Sequence, residues 1–168
     1  MKFEYVDRPP FFAALRLAKY GLENIDRFVY LADRTKGSEL RSLERVASEA
    51  SANVPDDWLT DDFAQIDDFA TLSSEFAIVG LWRCVELYRK RAIKIASGPN
   101  HAESVFIHKE FKRKLSNLHI AEENIRCARS VNELRCLNNA IKHEQRIGDE
   151  LLNFQRWRDK DGENLGNL

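Results

Sequence analysis

The sequence predicts an all-α domain, a helical bundle of about five to six helices, on three observations. Only 7 glycines and 4 prolines punctuate 168 residues. No stretch alternates apolar and polar side chains for long enough to read as a sheet strand, and apolar residues instead recur every three or four positions along most of the chain. With 43% apolar residues, a chain of this length buries a core without covalent staples. A single helical domain over residues 1–158 and a polar, frayed tail over residues 159–168 are expected.

The first helix opens at Pro9-Pro10, because proline suits a first turn. Leu15, Leu17, Leu22, Ile25, Phe28, Val29 and Leu31 carry it to an end near Arg34, before Thr35-Lys36-Gly37. Leu40, Leu43, Val46 and Ala47 mark a second helix from Ser38 to about Ala52. Residues 53–68 interleave six aspartates with Trp58, Leu59, Phe63 and Ile66 and read as a loop holding a short helical piece. A long helix follows from about Phe69 to Ala96 on Leu72, Phe76, Val79, Trp82, Val85 and Ile93, and Gly98-Pro99 stops it. The next helix spans residues 102–118, and a shorter one reaches about Ala128. Ser130-Val131-Asn132-Glu133 reads as a capping box, in which the serine hydroxyl and the glutamate carboxylate each satisfy an orphan backbone N–H, opening a helix to about Gln145. A last helix beyond Gly148 holds Leu151, Leu152, Phe154 and Trp157.

Composition excludes several classes of function. Cys84, Cys127 and Cys136 form an odd set without a C-x-x-C pair, so no disulfide framework or zinc site is written here, and a reducing cytoplasm fits best. The longest apolar run, residues 76–82, falls far short of the ~20 residues that cross a bilayer. The first seven residues carry acids where a signal peptide needs an apolar stretch. A cytoplasmic protein with no membrane contact is expected. The net charge of −1 hides an uneven distribution: residues 1–82 hold 9 basic and 15 acidic side chains, residues 83–146 hold 14 and 7. The basic segment is a candidate anion-facing surface.

Within that segment, successive residues of the helix after Ser130 advance ~100°. Leu134, Leu137 and Ile141 gather on one side, while Arg135, Asn139, Lys142 and His143 fall within roughly a quarter turn on the opposite side. Any surface helix shows a polar stripe opposite an apolar one. This stripe combines a fixed forked cation, an amide that orients a neighbour by either end, and an imidazole that moves a proton near neutrality, a set suited to phosphodiester chemistry.

Leu134-Arg135-Cys136-Leu137-Asn138-Asn139-Ala140-Ile141-Lys142-His143 resembles the motif helix of the HEPN superfamily of small helical domains. The family signature is an arginine, four to six residues, then a histidine, commonly with a polar residue directly after the arginine. Asn139 and His143 match the polar position and the histidine, and Asn138 stands where the arginine would be. Arg135, separated from His143 by seven residues rather than four to six, is the nearest arginine and the candidate substitute. The resemblance covers about ten residues, together with the helix count and a preceding long helix. It implies an HEPN-like bundle, a homodimer that brings two motif helices together, and metal-independent RNA cleavage in a toxin–antitoxin or phage-defence system, with an antitoxin or other defence protein as partner. In that chemistry His143 handles a proton, Arg135 stabilises charge on the phosphoryl oxygens and Asn139 orients His143 or the phosphate. The alternative is a non-catalytic interaction or dimerisation module with a degenerate motif.

Lys109, Lys112, Arg113 and Lys114, with Lys142, are candidates for tracking an RNA backbone, against the plainer reading of a solvated basic face. Glu86 forms an ion-pair ladder with Arg83 and Lys90, or stands behind the motif with Asn138 as a support for Arg135 or His143. His101 and His119 stand alone, and the Asp-Asp steps of residues 56–68 read as solvated, so neither a metal nor a cofactor is expected.

Overall fold

The computed structural model describes residues 9–49, 56–97 and 107–165. Five α-helices follow in order: α1, Pro9–Glu49; α2, Asp56–Ser97; α3, His108–Asn117; α4, Ala128–His143; and α5, Asp149–Leu152. Two 3-10 turns lie at Glu122–Asn124 and Gln155–Trp157. There is no strand among the described residues, only an isolated bridge between Arg146 and Asn164. The fold is an all-α bundle.

The first two helices are longer than periodicity predicts. Thr35-Lys36-Gly37 does not break the chain, and α1 runs through it. A mid-helix glycine costs only about 1 kcal/mol, and packing along α2 offsets that, with Lys36 Nζ 3.0 Å from Asp67 Oδ1. Residues 56–68 are likewise the first turns of α2 rather than a loop. Aspartates suit that end, where the helix dipole is positive. The expected break at residues 53–55, the stop at residues 98–100 and the start of the next helix at Ala102 lie outside the described residues. So do His101 and the first seven residues.

α1 and α2 make an antiparallel hairpin about 60 Å long at 1.5 Å per residue. Small residues let the helices approach: a Cβ on Gly21 would lie 2.7 Å from Cys84 Sγ, and one on Gly80 would lie 3.2 Å from Ile25. The C-terminal end of α2 holds α3 through a core of Ile93, Phe111 and Leu115. A second core, Cys136, Ala140, Ile147, Leu151, Phe154 and Trp157, joins α4 to α5 and the chain beyond.

The Ser130 capping box does not form. α4 already begins at Ala128, behind Cys127 in the left-handed region at φ 65°, without a side-chain cap. Glu133 instead accepts a hydrogen bond from Trp157 Nε1 at 2.8 Å and forms an ion pair with Arg156 Nε at 2.6 Å. Residues 159–165 are not a frayed tail. Ile147 and Gly162 bond to the carbonyls of Glu163 and Ile147, and Leu165 N–H donates to the Gln145 carbonyl, folding the segment back beneath α4. No described helix is long and apolar enough to cross a membrane.

Candidate functional site

α4 has two apolar edges, and these determine where its polar residues point. Leu137 and Ile141 turn toward Thr71 and Ile78 of α2, and Cys136 and Ala140 turn into the core with α5. Between them runs the edge bearing Arg135, Asn139 and His143. Asn139 and His143, one turn apart, line a single open cleft of about 560 Å³ whose opposite wall is residues 148–151 at the start of α5. His143 and Lys142 are exposed and Asn139 is half-buried.

Arg135 reaches this cleft from the side. Its Nε donates to Asn132 Oδ1 at 3.0 Å, and its guanidinium lies 3.2 Å from Cys136 Sγ and 3.3 Å from Glu150, a residue of the cleft wall. Glu150 is 63% exposed, so water screens the pair, which contributes at most about 1 kcal/mol. Burial pushes the Cys136 thiol up to about 11, with Glu150 adding to the shift and Arg135 opposing it. The sulfur is therefore a neutral packing group near neutral pH.

Asn138 is 2% exposed. Its Nδ2 lies 3.5 Å from Asn139 Oδ1, and its own Oδ1 is buried without a hydrogen-bond partner. An arginine there would face the interior, where an unpaired guanidinium is costly. The guanidinium on the cleft side of α4 is that of Arg135.

The remaining candidates are dispersed. Lys112 pairs with Glu122 at 3.3 Å, and Arg113 with Glu110 of its own helix at 2.6 Å. Lys109 is exposed and Lys114 half-buried. Glu86 pairs with Arg83 at 3.3 Å.

The structure also assembles a cluster that sequence reasoning missed. Arg89, its side chain 11% exposed, lies over the Phe111 ring at 4.2 Å and the Trp82 ring at 5.3 Å, and its guanidinium is 3.7 Å from Glu122. His108 Nε2 approaches the same carboxylate at 3.9 Å, while Nδ1 is buried without a hydrogen-bond partner. Burial lowers the pKa of both Arg89 and His108; Glu122 opposes this, and Arg135 adds to it in each case. Thus Arg135 stands between the cleft and a second group of cations around Glu122. One signal for Arg89 was available: it follows Trp82 by seven residues and precedes Ile93 by four, on the stripe that α2 buries. Among the described residues, no group of His, Cys, Asp or Glu is placed to hold a metal ion.

Compared with protein-family models, with curated proteins and with solved structures, the chain finds no match.

Proposed function

We propose that the protein is an HEPN-like endoribonuclease of the toxin–antitoxin or phage-defence kind, acting without a metal at the cleft between α4 and α5. The carrying observation is that Asn139 and His143 open into one cleft with Arg135 at its side. The RNA 2′-hydroxyl attacks the adjacent phosphorus and the 5′-oxygen leaves. His143 takes or returns the proton, Asn139 orients the phosphate, and Arg135 exchanges Glu150 for a phosphoryl oxygen. The weak, exposed pair with Glu150 makes that exchange inexpensive. Lys142 and Lys109, both exposed, extend the electrostatic surface for the RNA backbone.

The test is incubation of the protein and its His143→Ala variant with total and transfer RNA in excess chelator. Wild type yields fragments with cyclic phosphate ends, and the variant, whose exposed site leaves folding intact, loses at least about 100-fold in rate. Equal cleavage by the two sinks the proposal.

A non-catalytic interaction module is the second reading. It is favoured by the carboxylates Glu144, Asp149 and Glu150 around the cleft, which repel a polyanion. Absence of cleavage by a folded wild type selects it.

A further inference from the structure

Among the described residues, nothing packs on the outer face of the α1–α2 hairpin. The contacts of Gly21 with Cys84 and Ile25 with Gly80, and the Lys36–Asp67 pair, set the antiparallel register. In that register Phe28 and Leu31 of α1 stand beside Leu72 and Phe76 of α2. On the α2 wheel, Phe69, Leu72 and Phe76 fall within about 60° of one another, on the side away from the Thr71 and Ile78 positions that meet α4. These five side chains are 41–60% exposed. At ~200 Å² per large side chain, about half of it exposed, they offer roughly 450 Å² of apolar surface. That is within the ~300–600 Å² of the largest patch a monomer displays, and just over half of the ~800 Å² each partner contributes to a stable interface.

Charge identifies the occupant. Along the same strip of α2, exposed Asp61 and Asp68 precede the apolar segment, and exposed Arg83 and half-buried Lys90 follow it. The Asp68–Arg83 and Asp61–Lys90 spacings share one midpoint, between Glu75 and Phe76, and so does the Leu72–Val79 spacing. A two-fold axis through that midpoint lays α2 antiparallel on its copy, each aspartate opposite a cation and Leu72 opposite Val79. A parallel arrangement sets like charges together.

We propose that this face is the interface of a homodimer in which two hairpins pack into a four-helix layer about a two-fold axis beside Phe76. Arg83 already pairs with Glu86 at 3.3 Å, and its five-donor guanidinium takes Asp68 of the second copy as well. The arrangement turns the two α4 clefts outward, whereas the family resemblance implies that the motif helices meet. A dimer of this form leaves each α4 cleft to act without the second motif helix.

Analytical ultracentrifugation of the full chain tests it. Wild type is a dimer with Kd below about 10 μM. Phe76→Glu is a monomer with unchanged circular dichroism, because that side chain is already 60% exposed. Asp68→Arg and Arg83→Asp each weaken association at least about tenfold, and the double variant Asp68→Arg/Arg83→Asp restores it. A monomeric wild type overturns the proposal and leaves the face to a different partner. A dimer that survives Phe76→Glu places the interface elsewhere, and failure of the double reversal to rescue removes the antiparallel register.

Discussion

His108 is a histidine whose protonation is set by its neighbours rather than by its own helix. Its side chain is 23% exposed and is held between Glu122, Lys112, Arg89 and Arg135. Burial is the largest influence and lowers its pKa from the ordinary 6.5, with the three cations adding to the shift and Glu122 opposing it. As pH falls below 6.5, the unfolded chain binds a proton that the native state still refuses, so stability declines from there down to the native pKa. Above that window the contribution is intact. Melting temperatures at about pH 7.5 and about pH 5.5 check this: the fall between them is smaller in His108→Gln than in wild type. An equal fall shows that other groups carry the acid sensitivity. The same neighbourhood brings Arg135 close to charges of α2 and α3 that are distant in sequence.

Among the elements, α1 departs furthest from its local signals. Gly37 looks like a terminator, yet the helix continues to Glu49, and a Cβ at Gly37 would meet only the end of the Arg41 side chain at 3.4 Å. Gly37→Ala therefore stabilises the protein by about 0.5–1 kcal/mol, through reduced backbone freedom in the unfolded chain and better helix propensity. Urea denaturation reads the gain as a raised midpoint at constant slope. A lowered midpoint indicates that the chain turns near residue 37. The Ser130 capping box shows the converse error: a strong local motif is overruled because Glu133 finds Trp157 and Arg156, partners more than twenty residues away.

At the scale of the whole molecule, the α4–α5 cleft exists only because the C-terminal segment returns. Gln145, at φ 53°, turns the chain after α4 so that Ile147 is buried, and the bonds among residues 145–147 and 162–165 close the loop. The Trp157–Glu133 hydrogen bond clamps this segment to α4. Trp157→Phe removes the donor while keeping an aromatic ring, and costs about 1–2 kcal/mol. Amide exchange at Ile147, Gly162 and Leu165 accelerates if the clamp is what holds the segment. Unchanged protection assigns that role to the apolar core alone. The hairpin, by contrast, is long and one-sided, which leaves its outer face available for the proposed dimer.

The fold class was legible from the sequence because helical periodicity is a local property: scarce glycine and proline with apolar spacing of three and four suffice for an all-α chain. For the same reason, the alignment of Arg135, Asn139 and His143 along one edge of a helix follows from 3.6 residues per turn alone. Helix ends were less legible, since packing against α2 outweighs the weak breaker at Gly37 and the aspartates at residues 56–68. Contacts between distant segments were not legible at all. Only the tertiary structure buries Asn138 and leaves Arg135 at the cleft, gathers Arg89 and His108 around Glu122, and turns Phe28 and Phe76 outward together. A sequence states which residues share a face of a helix, and the packing of whole helices decides which faces meet one another and which are left to solvent or to a partner.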